Sequence, residues 1–239
     1  MAARRARFFI GGMLATAVVG LLQPTRARSV QNRFEDQGTL VISIAGKDVG
    51  TEKFQIRPRR HGIEAAGEVD IRVQQAGRAV EFRTVSDLVL NATLWPRTYT
   101  WEQIAPRPSG LKINFLASPV TARYRILNGK TDLRKFVLPK NVVVLDDNVF
   151  SHYEILVWRY LRAQGRRQSF AAFIPQEALP GRVSVREAPN QKITVAGGKL
   201  NARHLIVTTD LARLDLWTNS AGDLERVSIP TAQLMAVRR

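Results

Sequence analysis

Ile63-Glu64-Ala65-Ala66-Gly67-Glu68-Val69-Asp70-Ile71-Arg72-Val73 is the stretch on which the fold is read. Ile63, Ala65, Gly67, Val69, Ile71 and Val73 share one face of an extended chain, while Glu64, Glu68, Asp70 and Arg72 share the other. A rhythm of two marks a strand with one side buried and one side wet. After a turn at Ala76-Gly77 the rhythm resumes: Val80, Phe82, Thr84, Ser86, Leu88 and Leu90 face one way, and Glu81, Arg83 and Asp87 the other. Two long strands joined by a short glycine turn form a hairpin.

Working outward, the same signal recurs. Upstream, Thr39 to Ala45 and Glu52 to Arg57 flank the turn Gly46-Lys47-Asp48-Val49-Gly50. Downstream come Arg97 to Ile104, Leu111 to Leu116 and Thr121 to Leu127, separated by Pro106, Pro108, Gly110 and Pro119. Near the end, Leu205 to Thr209, Leu214 to Thr218 and Leu224 to Ile229 make a further set around Asn219-Ser220-Ala221-Gly222. Consecutive strands with short connections form an antiparallel meander.

One segment departs from this pattern. From Asn148 to about Ala163 there is no Pro or Gly, Asp146 and Asp147 offer N-caps, and Gly165 offers a stop, so a helix over about 148–163 is predicted. Val149, Phe150, Tyr153, Ile155, Leu156, Val157, Trp158, Tyr160 and Leu161 cover nearly its whole circumference, which requires burial on most sides. The predicted fold class is mainly β: a long curved antiparallel meander, a half-barrel or open barrel, wrapped on one buried α-helix. The Pro-rich joints at Pro106 to Pro119 and Pro175 to Pro189 are too short to divide domains, so residues 28–239 read as a single β-rich domain.

Residues 1–27 read as a secretion signal. Arg4, Arg5 and Arg7 precede an apolar run from Phe8 to Leu22, and Thr25-Arg26-Ala27 places small residues three positions and one position before a cut after Ala27. The run is short for a membrane span. An uncleaved anchor is the alternative, and the expected location is periplasmic or extracellular. The sequence has no Cys, so neither disulfides nor thiolate metal sites are available. Removing the signal takes away Arg4, Arg5, Arg7 and Arg26 and no acid, which lowers the formal charge from +16 to +12. Such a charge favours anionic partners, lipid headgroups or acidic envelope polymers; it is equally the mark of an Arg-rich proteome. Nucleic acid is not the partner expected of an exported protein.

Catalytic motifs are absent. No Gly-x-Ser-x-Gly elbow, phosphate loop, His-Glu-x-x-His helix or dinucleotide fingerprint occurs, and no cofactor or metal is expected. Ser109-Gly110-Leu111-Lys112 matches Ser-x-x-Lys, but Pro108, Gly110 and the alternation of Leu111, Ile113 and Phe115 place it in a turn entering a strand, where Lys cannot return to Ser. His152 on the helix, with Asp146 or Asp147, is the one constellation that an enzyme could use; His61 and His204 read as solvated. The expectation is a protein that is not an enzyme.

Two groups of residues are candidates for binding. Phe82, Leu88, Val157 and Trp158 would line an apolar pocket between the concave sheet face and the helix. Trp95, Arg97, Tyr99 and Trp101 share one face of an extended segment, a geometry suited to cation-π contact or to a core wall with a snorkelling Arg. Arg123 and Arg125 flank Tyr124 on a later strand, and Lys130, Arg134, Lys135 and Lys140 extend the positive charge.

Gly46-x-x-x-Gly50-Thr51-Glu52 with Phe54, Tyr99-Thr100-Trp101-Glu102, and Leu214-Asp215-Leu216-Trp217 with Gly222-Asp223-Leu224 resemble exported bacterial domains of unknown function built as a long β meander. The sheet wrapped on a helix is more distantly similar to the half-barrel of periplasmic lipoprotein carriers, whose concave face binds acyl chains. The resemblance implies a non-enzymatic envelope protein that holds a lipid or other apolar ligand on the concave face. The alternative is a structural or interaction protein with a solid core, making peripheral contact with anionic lipids or polymers through its basic surface.

Overall fold

The computed structural model describes residues 34–126, 129–210 and 212–239. The secretion-signal reading of residues 1–27 lies outside them. Fifteen strands are arranged in one sheet: β1 (Asp36–Ile44), β2 (Lys47–Arg59), β3 (Gly62–Gln75), β4 (Arg78–Leu90), β5 (Pro96–Ala105), β6 (Ser109–Asn114), β7 (Val120–Arg125), β8 (Thr131–Phe136), β9 (Val143–Val144), β10 (Arg167–Ile174), β11 (Leu179–Val195), β12 (Gly198–Thr209), β13 (Arg213–Thr218), β14 (Leu224–Ile229) and β15 (Leu234–Arg238). One α-helix among the described residues, α1 (His152–Arg162), stands between β9 and β10.

The hairpin read first from sequence is the pair β3 and β4, in register from Ile63↔Leu90 to Gln75↔Arg78. Each neighbouring strand pairs antiparallel with the next, giving the order β8 to β1, then β15 down to β9. The sheet is therefore a meander whose first and last strands meet in its middle, Leu40 opposite Arg238. A single parallel pair, β9 with β10, interrupts the antiparallel rule because α1 lies between them in the chain.

The sheet is open. Its edges are β8 and β9, and side chains rather than a ladder close the seam. The Tyr124 hydroxyl donates to the Pro175 carbonyl at 3.0 Å, and Phe173 of β10 packs against Phe136 and Phe115, with ring centroids 4.8 and 6.4 Å away. This curl places alternate residues of every long strand in one core with α1. Leu40, Ile56, Leu88, Tyr99, Leu205 and Leu216 come from the sheet, and Ile155, Leu156 and Val157 from the helix. No helix of the described residues is long and apolar enough to cross a membrane.

Two local expectations are corrected. The helix begins at His152 rather than near Asn148, and neither Asp146 nor Asp147 caps it. Asn148 takes a left-handed φ of 60°, which breaks the chain direction before the first turn. Pro175 to Pro189, read as a joint, contains most of β11; Pro189 falls within the irregularity between Ala188 and Gln191, where the ladder does not need its missing N–H.

Leu156 is fully buried and Leu161 is about a third exposed on the same helix. Leu156→Ala is expected to lower unfolding stability by about 2–5 kcal/mol, and Leu161→Ala by less than about 1 kcal/mol. Chemical denaturation of the two variants checks the enclosure of the helix: equal effects would contradict it.

Candidate functional site

The interior holds an ordered set of polar groups where the helix begins. Glu52, on β2, shares its parity with Phe54 and Ile56 and points inward with them. Its carboxylate accepts the backbone N–H of Phe150 at 2.7 Å and of Ser151 at 3.1 Å, so a strand residue does the work of an N-cap. Gly67 of β3 makes room for it: a Cβ there would stand 3.4 Å from Glu52 Oε1 and 3.1 Å from Ser86 Oγ. Burial raises the Glu52 carboxyl to about 7, against the N–H groups that favour its charged form.

Asp146 is tied elsewhere. The Tyr99 hydroxyl donates to Oδ2 at 2.5 Å, while Oδ1 accepts the N–H of Gln176 at 3.0 Å and of Asp147 at 3.1 Å. Burial raises Asp146 to about 6 and pushes the Tyr99 hydroxyl well up. His152 lies edge-on to the Tyr99 ring at 5.5 Å, and both its ring nitrogens are buried without a hydrogen bond. Desolvation lowers it to about 3, so it is a neutral ring packed in the core. Glu52, Tyr99, Asp146 and His152 are all at most 3% exposed, and a substrate has no approach to them. They act as joints between β2, β5, α1 and the chain after β10.

His204 corrects the expectation of a solvated ring. It sits in β12 opposite Trp217, stacks on that indole at 5.0 Å, and contacts Asp215 Oδ1 through Nε2 at 2.7 Å. Cross-strand pairing with Trp217 covers it, a relation that sequence order does not show. A cluster of carboxylates, Asp36, Glu154 and Asp223, brings ligand atoms within 4.8 Å of one another. Arg238 already donates to Asp36 and to Glu154, and burial together with Asp36 holds the Glu154 carboxyl well above its usual range. Arg238 and a proton retained on Glu154 offset the charges of Asp36 and Glu154, and Asp223 accepts a hydrogen bond from the Asn219 amide.

The residues expected to line an apolar pocket are in place around the core: Leu88, Val157 and Trp158 belong to it, and Phe82 packs against its margin. Two cavities among the described residues lie elsewhere. An open cleft of about 270 Å³ is formed by Tyr160, Leu161, Ala163, Gly165, Arg166, Glu187 and Arg203, and a void of about 20 Å³ lies beside Leu145 and Ala172.

The Trp95, Arg97, Tyr99, Trp101 face is split by the structure. Tyr99 and Trp101 point into the core, whereas Trp95 precedes β5 and is exposed. Asn91 Oδ1 accepts the N–H of Thr93 and of Trp95, each at 2.9 Å, folding a turn there, and Leu94 takes a φ of 63°. The register then slips between Val89 and Leu90, so Arg97 falls in a bulge, and among the described residues no ring stacks on its guanidinium.

The outer face of β5 to β8 is the arrangement left with unbalanced chemistry. On β7, Tyr124 points inward, and Arg123 and Arg125 point out. Lys112 of β6 stands directly opposite Arg123, which stands opposite Leu133 of β8; Thr121 stands between Asn114 and Lys135. Like charges directly opposite each other destabilise a sheet. Arg125 has Glu102 at 4.0 Å and Arg134 has Asp132 at 2.7 Å, while Lys112, Arg123, Lys130, Lys135 and Lys140 have no acidic partner among the described residues. Lys112 was not singled out from the sequence; its outward parity, opposite to Leu111 and Ile113, was the available signal.

Neither a family model nor a curated protein matches the sequence. Among solved structures, the chain is similar to a β-barrel-like protein of the domain of unknown function DUF1849 from Brucella abortus, with a TM-score of 0.58 at 8% identity over 87% of this chain and 96% of that one. A DUF1089 family protein from Pseudomonas aeruginosa aligns with a TM-score of 0.44 at 12% identity over 76% and 90%. The first likeness shows the fold: this chain has the architecture of β-barrel-like domains of unknown function.

The buried Glu52 carboxyl has a definite pH signature. Its folded value lies above the unfolded 4.5, so its contribution is present at low pH and is lost as pH rises through about 7; Asp146 acts in the same sense up to about 6. His152, lowered to about 3, acts oppositely: its contribution is present above the ordinary histidine range and lost as pH falls. Glu52→Gln keeps an acceptor and removes the titration, so its stability relative to the wild type is expected to rise between about pH 5 and about pH 8. Glu52→Ala leaves two buried N–H groups unmet and is expected to cost about 2–4 kcal/mol. Thermal melts across this pH range check both, and a pH-independent difference for Glu52→Gln would refute the assignment.

Proposed function

We propose that this chain is an exported, non-catalytic envelope protein whose solid core supports a basic outer face that contacts anionic lipids or polymers. The observation that carries this reading is the uncompensated group of Lys112, Arg123 and Lys135 on the outward face of β6 to β8. Sequence context reinforces it. Between Asp87 and Asp146 the chain holds nine Lys or Arg residues against Glu102 and Asp132 alone, so this segment carries +7 of the formal net charge of +12 that residues 28–239 have. A field of that sign draws anionic surfaces and speeds encounter with them.

Support for a ligand held inside the sheet is weaker. Leu88, Val157 and Trp158 are at most 5% exposed, and neither described cavity touches them or Phe82. The polar groups near the helix start serve hydrogen bonds within the fold, which supports the non-catalytic part of the proposal.

The expected behaviour is electrostatic. Binding to an immobilised polyanion should weaken by at least about tenfold between low and near-molar salt, as the screening length shrinks to about 3 Å. Lys112→Gln/Arg123→Gln/Lys135→Gln should remove most of the binding at low salt without lowering stability, since it removes the like-charge pair of Lys112 and Arg123. Retention on the polyanion column, read beside a thermal melt, checks both points; retention unaffected by salt or by the triple change would end the proposal.

A further inference from the structure

Among the described residues nine large apolar side chains are exposed, and six of them, Trp95, Ile104, Leu116, Ile126, Leu133 and Val137, lie on or next to β5 to β8, with Ile104 and Ile126 at one end of these strands, Leu133 between, and Trp95, Leu116 and Val137 at the other end. Trp95 is 39% exposed, Leu116 63% and Val137 95%. Strand register puts them at one end of the basic face. Thr98 of β5 pairs with Asn114 of β6, Asn114 with Thr121 of β7, and Val120 with Phe136 of β8, so the turn before β5, the turn after β6 and the chain leaving β8 converge there. Four adjacent strands at about 4.8 Å spacing span roughly 14 Å, which is the width of this apolar rim.

Each of the three is offered by a defined turn rather than by an accident of packing. Asn91 holds the turn that turns Trp95 outward. Asn114 Oδ1 accepts the Leu116 N–H at 2.9 Å and fixes that turn, while the Phe115 N–H donates to the Arg97 carbonyl and keeps Phe115 in the core. Val137 leaves β8 directly after Phe136, which anchors on Phe173. In all three cases a neighbour packed against the core pins the backbone, Leu94 and Phe115 being buried and Phe136 partly so, and the adjacent apolar side chain is exposed.

The charge around this rim is of one sign. Arg97 follows Trp95 by two residues, Lys135 pairs with Thr121 on β7, and Lys140 follows Val137 by three residues, while residues 88–101, 112–123 and 133–141 contain no acid. The nearest acid on the same outward row, Glu64 of β3, is held by Arg57 at 2.8 Å and by Arg59. An indole and two aliphatic side chains surrounded by cations is the chemistry of an interface between water and a negatively charged bilayer: rings settle at the headgroup level, aliphatic chains just below it, and cations at the phosphates. A soluble polyanion satisfies the cations and gives the apolar rim nothing to enter.

We propose that this end of the sheet docks on a bilayer containing anionic lipid, with Trp95, Leu116 and Val137 entering the headgroup region and Arg97, Lys135 and Lys140 engaging phosphates. The proposal rests on the basic-face reading above and commits it to a membrane.

The test uses vesicles of phosphatidylcholine alone and of phosphatidylcholine with phosphatidylglycerol, an immobilised polyanion, and the variant Trp95→Ser/Leu116→Ser/Val137→Ser. The wild type should co-sediment with the anionic vesicles and not with the neutral ones. Its tryptophan emission should shift to the blue on binding, and a fraction of the binding should survive high salt. The triple variant should bind anionic vesicles at least about tenfold more weakly, lose the salt-resistant fraction and the blue shift, and keep both its melting temperature and its polyanion binding. Equal vesicle binding by the variant and the wild type overturns the membrane proposal while polyanion binding leaves the basic-face reading standing. Binding to neither probe overturns both. A dimer of the wild type that the triple variant abolishes, with no vesicle binding, assigns the rim to a second copy of the chain instead.

Discussion

A helix enclosed by a sheet has no water at its ends, and its first amides must find acceptors among the surrounding strands. Glu52 meets this requirement. Its carboxylate reaches from β2 to the N–H groups of Phe150 and Ser151, across 98 and 99 residues of chain, and decides where α1 starts. Other features follow from that placement. Gly67 has to lack a side chain, because a Cβ would crowd the carboxylate and Ser86. Asp146, relieved of capping, binds Tyr99 and the backbone of Gln176, so the segment before the helix is fastened to β5 and to the chain after β10. The Arg238 pairing with Asp36 and Glu154 does the corresponding job from the chain termini, linking β15 and β1 to the helix.

Once the helix is fixed inside, the inner surface of the sheet has little left to offer. The strands turn their second face to solvent, and it is there that residue choice departs from what stability alone would select. A cross-strand Lys112–Arg123 pair is a local penalty. Acidic residues elsewhere show that this surface can balance charge when balance is wanted: Glu64 of β3 holds Arg57 and Arg59 of β2, and Asp70 of β3 and Glu81 of β4 hold Arg83 of β4. The contrast between β3–β4 and β6–β8 is therefore one of composition, on the same sheet and in the same kind of pairing.

The parts of the fold that sequence revealed are those where one residue in two is buried. The β3–β4 hairpin reads at once, because its inward row runs unbroken from Ile63 to Ile71 and its outward row is charged. Strands without that contrast escaped. β8 is an edge strand with no buried residue, Phe136 alone packing in part against the core, so Thr131-Asp132-Leu133-Arg134-Lys135 shows no alternation; β11 carries Pro180 and Pro189; and β15 is short. The helix was legible from its continuous apolar surface, but its start was not. Local rules nominate Asp146 and Asp147 as caps, and nothing local points to a glutamate nearly a hundred residues earlier. Trp95 to Trp101 failed for a related reason: an extended backbone was assumed, and Asn91 folds a turn that takes Trp95 out of phase with Tyr99.

The same distinction bears on function. Burial explains a side chain by its neighbours, so Glu52, Tyr99, Asp146 and His152, unusual as they are, are accounted for by the fold that surrounds them. Exposure offers no such account. Val137 could be polar at no cost to packing, Leu116 caps no core, and Trp95 is held out by a turn whose Asn91 bonds would form equally well beneath a smaller residue. Scattered singly, exposed apolar residues need no explanation. Gathered by register at one end of a cationic face, beside strands that forgo charge balance, these three are more economically explained by a surface that they meet than by the domain that carries them.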